Sequence, residues 1–116
     1  MELTGVQIRY LLAIQELWEA HESLRSVELS RRLGVSKPSV HRVLAQLEAL
    51  GLLEKAPYGA ARLTRTGEET AQRCAASYRH LAACLTERLA LCPETARRAA
   101  LALMVQLDRE ELEQVR

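Results

Sequence analysis

The chain has 116 residues, of which 48% are hydrophobic and 27% are charged, and its formal net charge at pH 7 is +1. This length suits one compact domain, or a small domain with an oligomerisation element. No apolar run is long enough to span a membrane and no signal-peptide pattern opens the chain, so we expect a cytoplasmic protein without a membrane partner. The three cysteines (Cys74, Cys84 and Cys92) form no Cys-x-x-Cys pair. We therefore expect reduced, buried thiols, with neither a disulfide framework nor a structural zinc site.

The first predicted element is a helix over residues 4–21. Thr4 is a suitable N-cap, and apolar side chains recur after it at helical spacing. Those positions are Val6, Tyr10, Leu11, Ile14, Leu17 and Trp18. The later part of the helix is acidic, with Glu16, Glu19 and Glu22. Because acidic side chains are unfavourable beside an anionic partner, we expect this helix to pack behind the helices that follow, or across a dimer interface.

Residues 26–50 predict two short helices joined by a tight turn. Ser26 is the expected N-cap of the first helix, and Gly34 suits its left-handed C-terminal stop. Ser36 is expected to cap the second helix, and Pro38 falls in the first turn, where a missing N–H costs nothing. Two helices joined by a short turn that contains glycine form a helix-turn-helix, the second helix of which can enter the DNA major groove.

Basic residues are concentrated in the same segment. Between Arg25 and Leu44 there are five arginines and lysines and a single acid, Glu28. Residues able to hydrogen-bond to phosphates or base edges are expected to point outward at the start of the second helix. They are Ser36, Lys37, Ser39, His41 and Arg42. The alternative is an ordinary amphipathic helix pair with a solvated basic face.

A β-hairpin is predicted directly after these helices. Residues 52–55 and 61–64 predict two short strands, and Pro57, Tyr58 and Gly59 between them are turn formers. A hairpin in this position is the wing of a winged helix. Lys55 and Arg62, followed by Arg65, give it a basic rim suited to flanking phosphates. Tyr58 at the tip either contacts a sugar or a neighbouring subunit, or has no role.

Three further helices are predicted in the C-terminal half. Thr66 and Glu69 have the spacing of a capping box that opens a long helix to about residue 90. Pro93 is expected to start the next helix, and Asp108 with Glu111 to start a short last one. The expected buried stripe of the long helix is Ala71, Cys74, Tyr78, Leu81, Leu85 and Leu89. These small and aliphatic faces exceed what the winged module can cover, which predicts a homodimer through the C-terminal helices.

This order of elements resembles the diphtheria-toxin-repressor family of metal-dependent regulators, especially its short manganese-responsive branch, which lacks a C-terminal SH3-like domain. The matching stretches cover most of residues 9–89: RYLLAIQEL, LRSVELSRRLGVSKPSVHRVLAQLEALGLL, LTRTGEETAQR and YRHLAACL. The resemblance implies that the DNA contacts of the family fall on Arg25, Ser36, Pro38, Ser39 and Arg42.

The metal ligands of the family are matched only in part. In the first helix the aligned positions are Arg9 and Leu12, and on the helix after the long one they are Leu101, Met104 and Val105. The histidine of the long helix persists as His80, and the acidic ligand one turn later becomes Cys84. Most of the ligand set that the resemblance implies is therefore replaced by side chains that do not bind a divalent metal.

A reduced metal site is still a candidate. His80, Cys84 and Glu87 lie at i, i+4 and i+7, so all three can point from one stripe of a helix. Imidazole, thiolate and carboxylate can bind a divalent transition metal such as Mn, Fe or Zn. The alternative is that His80 is a packing residue and that Cys84 is a small buried hydrophobe, with no metal bound.

The sequence thus predicts a mainly α protein. A winged helix-turn-helix DNA-binding domain of three helices and a two-stranded β wing is expected over residues 1–65, and helical dimerisation elements over residues 66–116. We expect a transcriptional regulator, a repressor, that acts as a homodimer on a palindromic operator in double-stranded DNA. The expected DNA contacts are Arg25, Ser36, Lys37, Pro38, Ser39, His41, Arg42, Lys55 and Arg62.

Other classes of function remain as alternatives. One is a winged-helix regulator controlled by a small molecule or by redox chemistry rather than by metal, and another is a protein-interaction module without DNA binding. An enzyme is not expected, because the only pair of a nucleophile and a base, Cys84 with His80, has neither an orienting acid nor oxyanion donors.

Overall fold

A computed structural model describes residues 3–21, 24–56 and 60–115. The elements of this part of the chain are, in order, α1 (Gly5–His21), α2 (Ser26–Leu33), α3 (Lys37–Ala49), β1 (Leu53–Lys55), β2 (Ala61–Leu63), α4 (Arg65–Leu89), α5 (Pro93–Gln106) and α6 (Arg109–Glu113). The predicted mainly α class, with a two-stranded antiparallel sheet as the wing, is confirmed. No helix in these three ranges is long and apolar enough to cross a membrane.

Helix α1 lies at the centre of the fold, where it contacts α2, α3, α4 and α5. Leu11 and Ile14 on its inner face are fully buried. Thr4 caps the helix as predicted: the Gln7 N–H donates to Thr4 Oγ1 at 3.2 Å, and the Thr4 N–H donates to Gln7 Oε1 at 3.0 Å. Helix α1 therefore packs against the helix-turn-helix, which is one of the two positions that the sequence predicted.

Two apolar clusters form the interior of the part of the chain that the structure describes. The larger one joins α1, α2, α3 and the hairpin, and it includes Ala71 of α4. The smaller one is built around Leu81, Ala100 and Met104, between α4 and α5. Since Ala71 lies beyond residue 65, the winged module and α4 share a core, and the division into residues 1–65 and 66–116 stays a prediction.

Helix α2 begins differently from the prediction, because Arg25 and not Ser26 is its N-cap. The Arg25 carbonyl accepts hydrogen bonds from the N–H groups of Glu28 at 3.1 Å and Leu29 at 3.3 Å. Leu24 forms an isolated bridge with Ala61 of β2, through two N–O contacts of 3.1 and 2.8 Å. This pairing keeps the backbone extended up to Arg25, at φ −115° and ψ 141°, so Ser26 is already helical.

The turn of the helix-turn-helix agrees with the prediction. Gly34 ends α2 in the left-handed conformation at φ 66°, which favours glycine. Ser36 caps α3, with its Oγ accepting a hydrogen bond from the Ser39 N–H at 3.3 Å, and Pro38 is the second residue of the helix. Both signals are local in sequence, which explains why they could be recognised without the fold.

The wing pairs Leu53 with Leu63, Glu54 with Arg62, and Lys55 with Ala61. Each strand is one residue shorter than predicted, because Leu52 and Thr64 lie outside the ladder. The predicted turn residues Pro57, Tyr58 and Gly59 lie outside the described residues.

Helix α4 is capped by Thr64, so the predicted capping box of Thr66 and Glu69 is wrong. Thr64 Oγ1 accepts a hydrogen bond from the Gly67 N–H at 3.0 Å and donates one to the Gly51 carbonyl at 2.6 Å. The Thr64 N–H also donates to the Leu52 carbonyl at 3.0 Å. These bonds tie the start of α4 to the base of the wing, and they place Thr66 inside the helix.

Three residues predicted to be buried are exposed. Val6 of α1 is 56% exposed, and Leu89 of α4 is 65% exposed because the chain reverses directly after it at Ala90. Cys92 is exposed at the N-cap of α5, so the expectation that all three cysteines are buried is wrong. The predicted starts of the last two helices are confirmed: Pro93 is the first residue of α5, and Asp108 forms a complete capping box with Glu111.

Candidate functional site

The exposed face of α3 is the candidate nucleic-acid interface. Val40, Val43 and Leu47 point into the core, each at most 3% exposed. Because these buried positions recur every three or four residues, they fix the rotation of the helix and leave the opposite side in solvent. That side carries the exposed residues Lys37, Pro38, His41 and Arg42. The sequence predicted outward positions for Lys37, His41 and Arg42, and the structure exposes all three. Pro38 was expected only as a DNA contact that the family resemblance implies.

The N-terminal end of α3 is polar and electropositive. The Ser36 hydroxyl donates a hydrogen bond to Ser39 Oγ at 2.9 Å, so the two serines form a local network at the first turn. Ser36 is exposed, whereas Ser39 is half-buried. The helix dipole adds partial positive charge at this end, next to the Lys37 and Arg42 side chains. An anionic group is therefore favoured here.

The two predicted wing contacts differ in their surroundings. Lys55 is exposed at the end of β1. Arg62 faces Glu54 across the ladder, and its Nε lies 3.0 Å from Glu54 Oε1. Because both side chains are about half exposed, this ion pair is weak and a phosphate can compete for the guanidinium group.

The basic residues around α2 also differ from one another. Arg25 is exposed and follows directly on the Leu24 bridge, which sets it beside the wing. Arg32 is one of the five basic residues between Arg25 and Leu44, and it forms an ion pair with Glu16 of α1. The acidic part of α1 thus neutralises one of these cations. Sequence reasoning missed this pair, because the two residues meet only through the packing of α1 on α2.

The predicted metal ligands are only partly brought together. His80 Nε2 lies 3.8 Å from Cys84 Sγ and 3.2 Å from the Val115 carbonyl. Glu87 does not join them: in residues 3–21, 24–56 and 60–115, no group of three or more His, Cys, Asp or Glu side chains could hold a metal ion. Two positions aligned with metal ligands of the family supply no ligand here. Arg9 donates to the Leu33 carbonyl at 3.5 Å, and Met104 is buried. The donor set of these residues does not fit a tightly held divalent metal.

The thiols of Cys74 and Cys92 lie in opposite environments. Burial raises the pKa of the Cys74 thiol, an effect that neighbouring Arg73 partly offsets. The hydroxyl and the backbone N–H of Thr95 lower the pKa of the exposed Cys92 thiol, whose Sγ lies 3.1 Å from Thr95 Oγ1.

Alkylation with iodoacetamide is expected to distinguish these thiols. The thiolate is the reactive form of cysteine. Because its pKa is lowered, Cys92 is expected to react at a lower pH than an ordinary thiol and faster than Cys74, whose pKa is raised by burial. Peptide mass spectrometry against time and pH measures both rates. The Thr95→Val variant is expected to move the Cys92 profile to higher pH and to leave Cys74 unchanged. Equal profiles for Cys92 in both proteins would contradict the role of Thr95.

Comparison with known proteins agrees with this geometry. Residues 2–62 match the sequence model of the MarR family. Transcriptional regulator MntR from Escherichia coli is 33% identical over 107 residues, which cover 92% of this chain and 68% of that protein. The chain belongs to the MntR family of transcriptional regulators. Transcriptional regulator MntR from Salmonella typhimurium is 32% identical over 104 residues, covering 90% of this chain and 66% of that protein.

Solved structures similar to this MntR-family chain have the same fold. IdeR from T. acidophilum matches with a TM-score of 0.79 and 25% identity, over 99% of this chain and 53% of that one. The manganese regulator SloR matches with a TM-score of 0.75 and 23% identity, also over 99% of this chain and 53% of that one. The chain therefore spans about half the length of these two proteins.

Proposed function

We propose that this MntR-family chain binds double-stranded DNA as a homodimer and represses transcription from a palindromic operator. The observation that carries the proposal is the outer face of α3, where Lys37, His41 and Arg42 are exposed beside the Ser36 cap. A helix of this size, with a polar and basic first turn, can lie in the major groove.

The proposed contacts divide by chemistry. Arg42 reads a base, because its guanidinium group can donate two hydrogen bonds to guanine in the major groove. The remaining contacts are to the sugar-phosphate backbone of the DNA, and they position the protein on the duplex. They are Ser36, Lys37, Pro38, Ser39 and His41 at the start of α3, Arg25 at the N-cap of α2, and Lys55 and Arg62 on the wing.

Exposed aliphatic side chains on the C-terminal helices support the homodimer. Leu89 of α4 is 65% exposed and Val105 of α5 is 43% exposed. A second copy of the chain would remove these side chains from water and would place a second α3 on the other half of the operator. With twofold symmetry, the two reading helices are expected about 34 Å apart, or a multiple of that distance.

Control by a divalent metal is supported by fewer residues of this chain than DNA binding is. SloR is a manganese regulator, and the structure of ScaR, which is 22% identical to this chain, contains bound Zn²⁺. Here His80 and Cys84 are the two adjacent donors, with Glu87 as the predicted third ligand. Manganese, iron or zinc would need further ligands that the described parts of the chain do not bring to this pair.

Selection from a randomised duplex pool at physiological salt tests the proposal. We expect enrichment of a palindrome, bound in gel-shift assays by a dimer that sedimentation equilibrium detects at micromolar protein concentration. The absence of any enriched sequence would favour a protein-interaction module. A monomer in the absence and presence of DNA would contradict the homodimer. Repeating the selection with a chelator, and then with added Mn²⁺ or Zn²⁺, shows whether metal controls binding.

A further inference from the structure

A cleft of about 900 Å³ lies between the N-terminal part of α1, helix α4, and the α5–α6 end of the chain. Its volume falls in the range of small-molecule sites. Sequence reasoning did not find this cleft, because its walls come from segments far apart in the chain. The traces in the sequence are a row of polar residues along α4 and the positions aligned with the family's metal ligands, of which His80, Met104 and Val105 line the cleft.

One wall of the cleft is polar and comes from α4. Thr66, Thr70, Arg73, Ser77 and His80 line it. Their spacing of three or four residues places them on one stripe of the helix. The Thr70 hydroxyl donates to the Thr66 carbonyl at 2.8 Å, and Arg73 Nη2 lies 3.5 Å from Thr70 Oγ1. This stripe offers several hydrogen-bond donors along one side of the cavity.

The opposite walls are largely apolar. Ile8 of α1, Met104 of α5, and Leu112 and Val115 at the C-terminal end line them. Met104 and Ile8 also belong to the cluster between α4 and α5. A ligand with an apolar body and a polar head therefore matches the cleft better than a bare ion does.

The charges on the cleft favour an anionic head group. The four ion pairs in the described part of the chain involve Arg32, Arg62, Arg65 and Arg109, and none of them involves Arg73. Of the two acids that line the cleft, Glu113 is paired with Arg109, and Asp108 caps α6 through the Glu111 N–H. Glu69, one turn before Arg73 on α4, is paired with Arg65. Arg73 is thus a guanidinium group at the cleft without a carboxylate partner in this part of the chain.

We propose that this cleft binds a small organic monoanion, a carboxylate with an aromatic or aliphatic body. The carboxylate pairs with Arg73 and accepts hydrogen bonds from the hydroxyls of Thr66 and Ser77, while the body packs on Met104 and Ile8. The Thr70 hydroxyl already donates to the Thr66 carbonyl. The family's metal donors are largely replaced here, whereas the cavity and its cation are present.

Binding in the cleft has a physical connection to the candidate reading helix. Ile8 follows Gln7, and Gln7 Nε2 donates to Gln46 Oε1 of α3 at 3.2 Å. A ligand that moves the start of α1 therefore acts on α3 as well. This regulatory step rests on the proposed DNA binding, but occupation of the cleft itself does not.

Methionine methyl signals give a direct test without DNA. The chain has two methionines, Met1 and Met104, so ¹³C-methyl labelling yields a simple spectrum in which Met104→Leu identifies the cleft signal. Benzoate, 2-naphthoate and decanoate are titrated into the protein, with uncharged 2-naphthamide as the matched neutral probe. We expect at least one carboxylate to shift the Met104 signal saturably, and 2-naphthoate to bind about fivefold or more tightly than its amide.

Matched variants localise the anion. Arg73→Gln is expected to abolish the preference for the carboxylate, whereas Arg79→Gln, an exposed residue of the same helix outside the cleft lining, is expected to preserve it. The proposal is overturned if no carboxylate moves the Met104 signal, or if Arg73→Gln binds 2-naphthoate as the wild type does. It is also overturned if a chelator removes the binding and Mn²⁺ restores it. Circular dichroism verifies the fold of each variant.

The regulatory step is measured separately, as the affinity for the selected duplex with and without the bound carboxylate. A change of about threefold or more that is lost in Arg73→Gln supports it, and an unchanged affinity overturns it. Failure of DNA binding in the protein alone would concern the proposed function and would leave the occupation of the cleft intact.

Discussion

Replacement of Gly67 by alanine is expected to destabilise the protein by at least about 3 kcal/mol. Gly67 lies in the first turn of α4, and a Cβ placed on it would overlap with the Leu52 carbonyl. That carbonyl accepts the Thr64 N–H at 3.0 Å, so it belongs to the junction between wing and helix and cannot move freely. In an open helix the same change would stabilise by about 1 kcal/mol, so the sign of the effect tests the packing.

Thermal and urea denaturation measure this effect, with Gly34→Ala as the control. Unlike Gly67, Gly34 adopts a positive φ of 66°, and a Cβ there would have no neighbour within 4 Å. The control is therefore expected to lose only the roughly 1 kcal/mol that the left-handed conformation costs a non-glycine residue. If Gly67→Ala proves as stable as the wild type, the close contact between α4 and the wing is wrong.

The helix caps illustrate how much of the fold could be predicted from sequence. Gly34, Ser36 and Asp108 act within their own turns, so their signals are complete in a few residues. The local pattern favoured Thr66, which has Glu69 three residues later, and it assigned Thr64 to the preceding strand. Thr64 is the cap because it also bonds to the backbone of Gly51 and Leu52, and no local pattern contains that contact.

The candidate DNA interface, the outer face of α3, could also be predicted from residues that lie close together in the sequence. The buried positions Val40, Val43 and Leu47 determine the rotation of α3, and the outer face follows from that rotation. The ion pairs of Arg32 with Glu16 and of Arg62 with Glu54 could not be predicted as readily. They depend on how α1 packs on α2 and on the strand register. The pattern therefore predicts the exposed face of α3 better than it predicts which cations are already paired with an acid.

Arg42→Ala and Lys55→Ala are expected to weaken DNA binding in different ways. Loss of Arg42 should cost about 1–3 kcal/mol on the selected operator and relax the preference at one base pair, with little effect on random DNA. Loss of Lys55 should weaken binding to all sequences alike and reduce the slope of log K against log salt by about 1. The difference follows from their positions, since Arg42 is on the outer face of α3 and Lys55 is on the wing. Gel-shift titrations at several salt concentrations, on operator and random duplexes, measure both the sequence preference and the salt slope.

Arg32→Ala is the matched control, because it removes a cation of the same segment that is paired with Glu16. Its loss should change the affinity and the salt slope less than the loss of Lys55 does, since the guanidinium group is already partly neutralised. If Arg42→Ala instead lowers affinity equally on operator and random DNA, Arg42 contacts phosphate and the base-reading residue lies elsewhere on α3. His41 is then the next residue to test, because it is exposed on the same face, one position earlier.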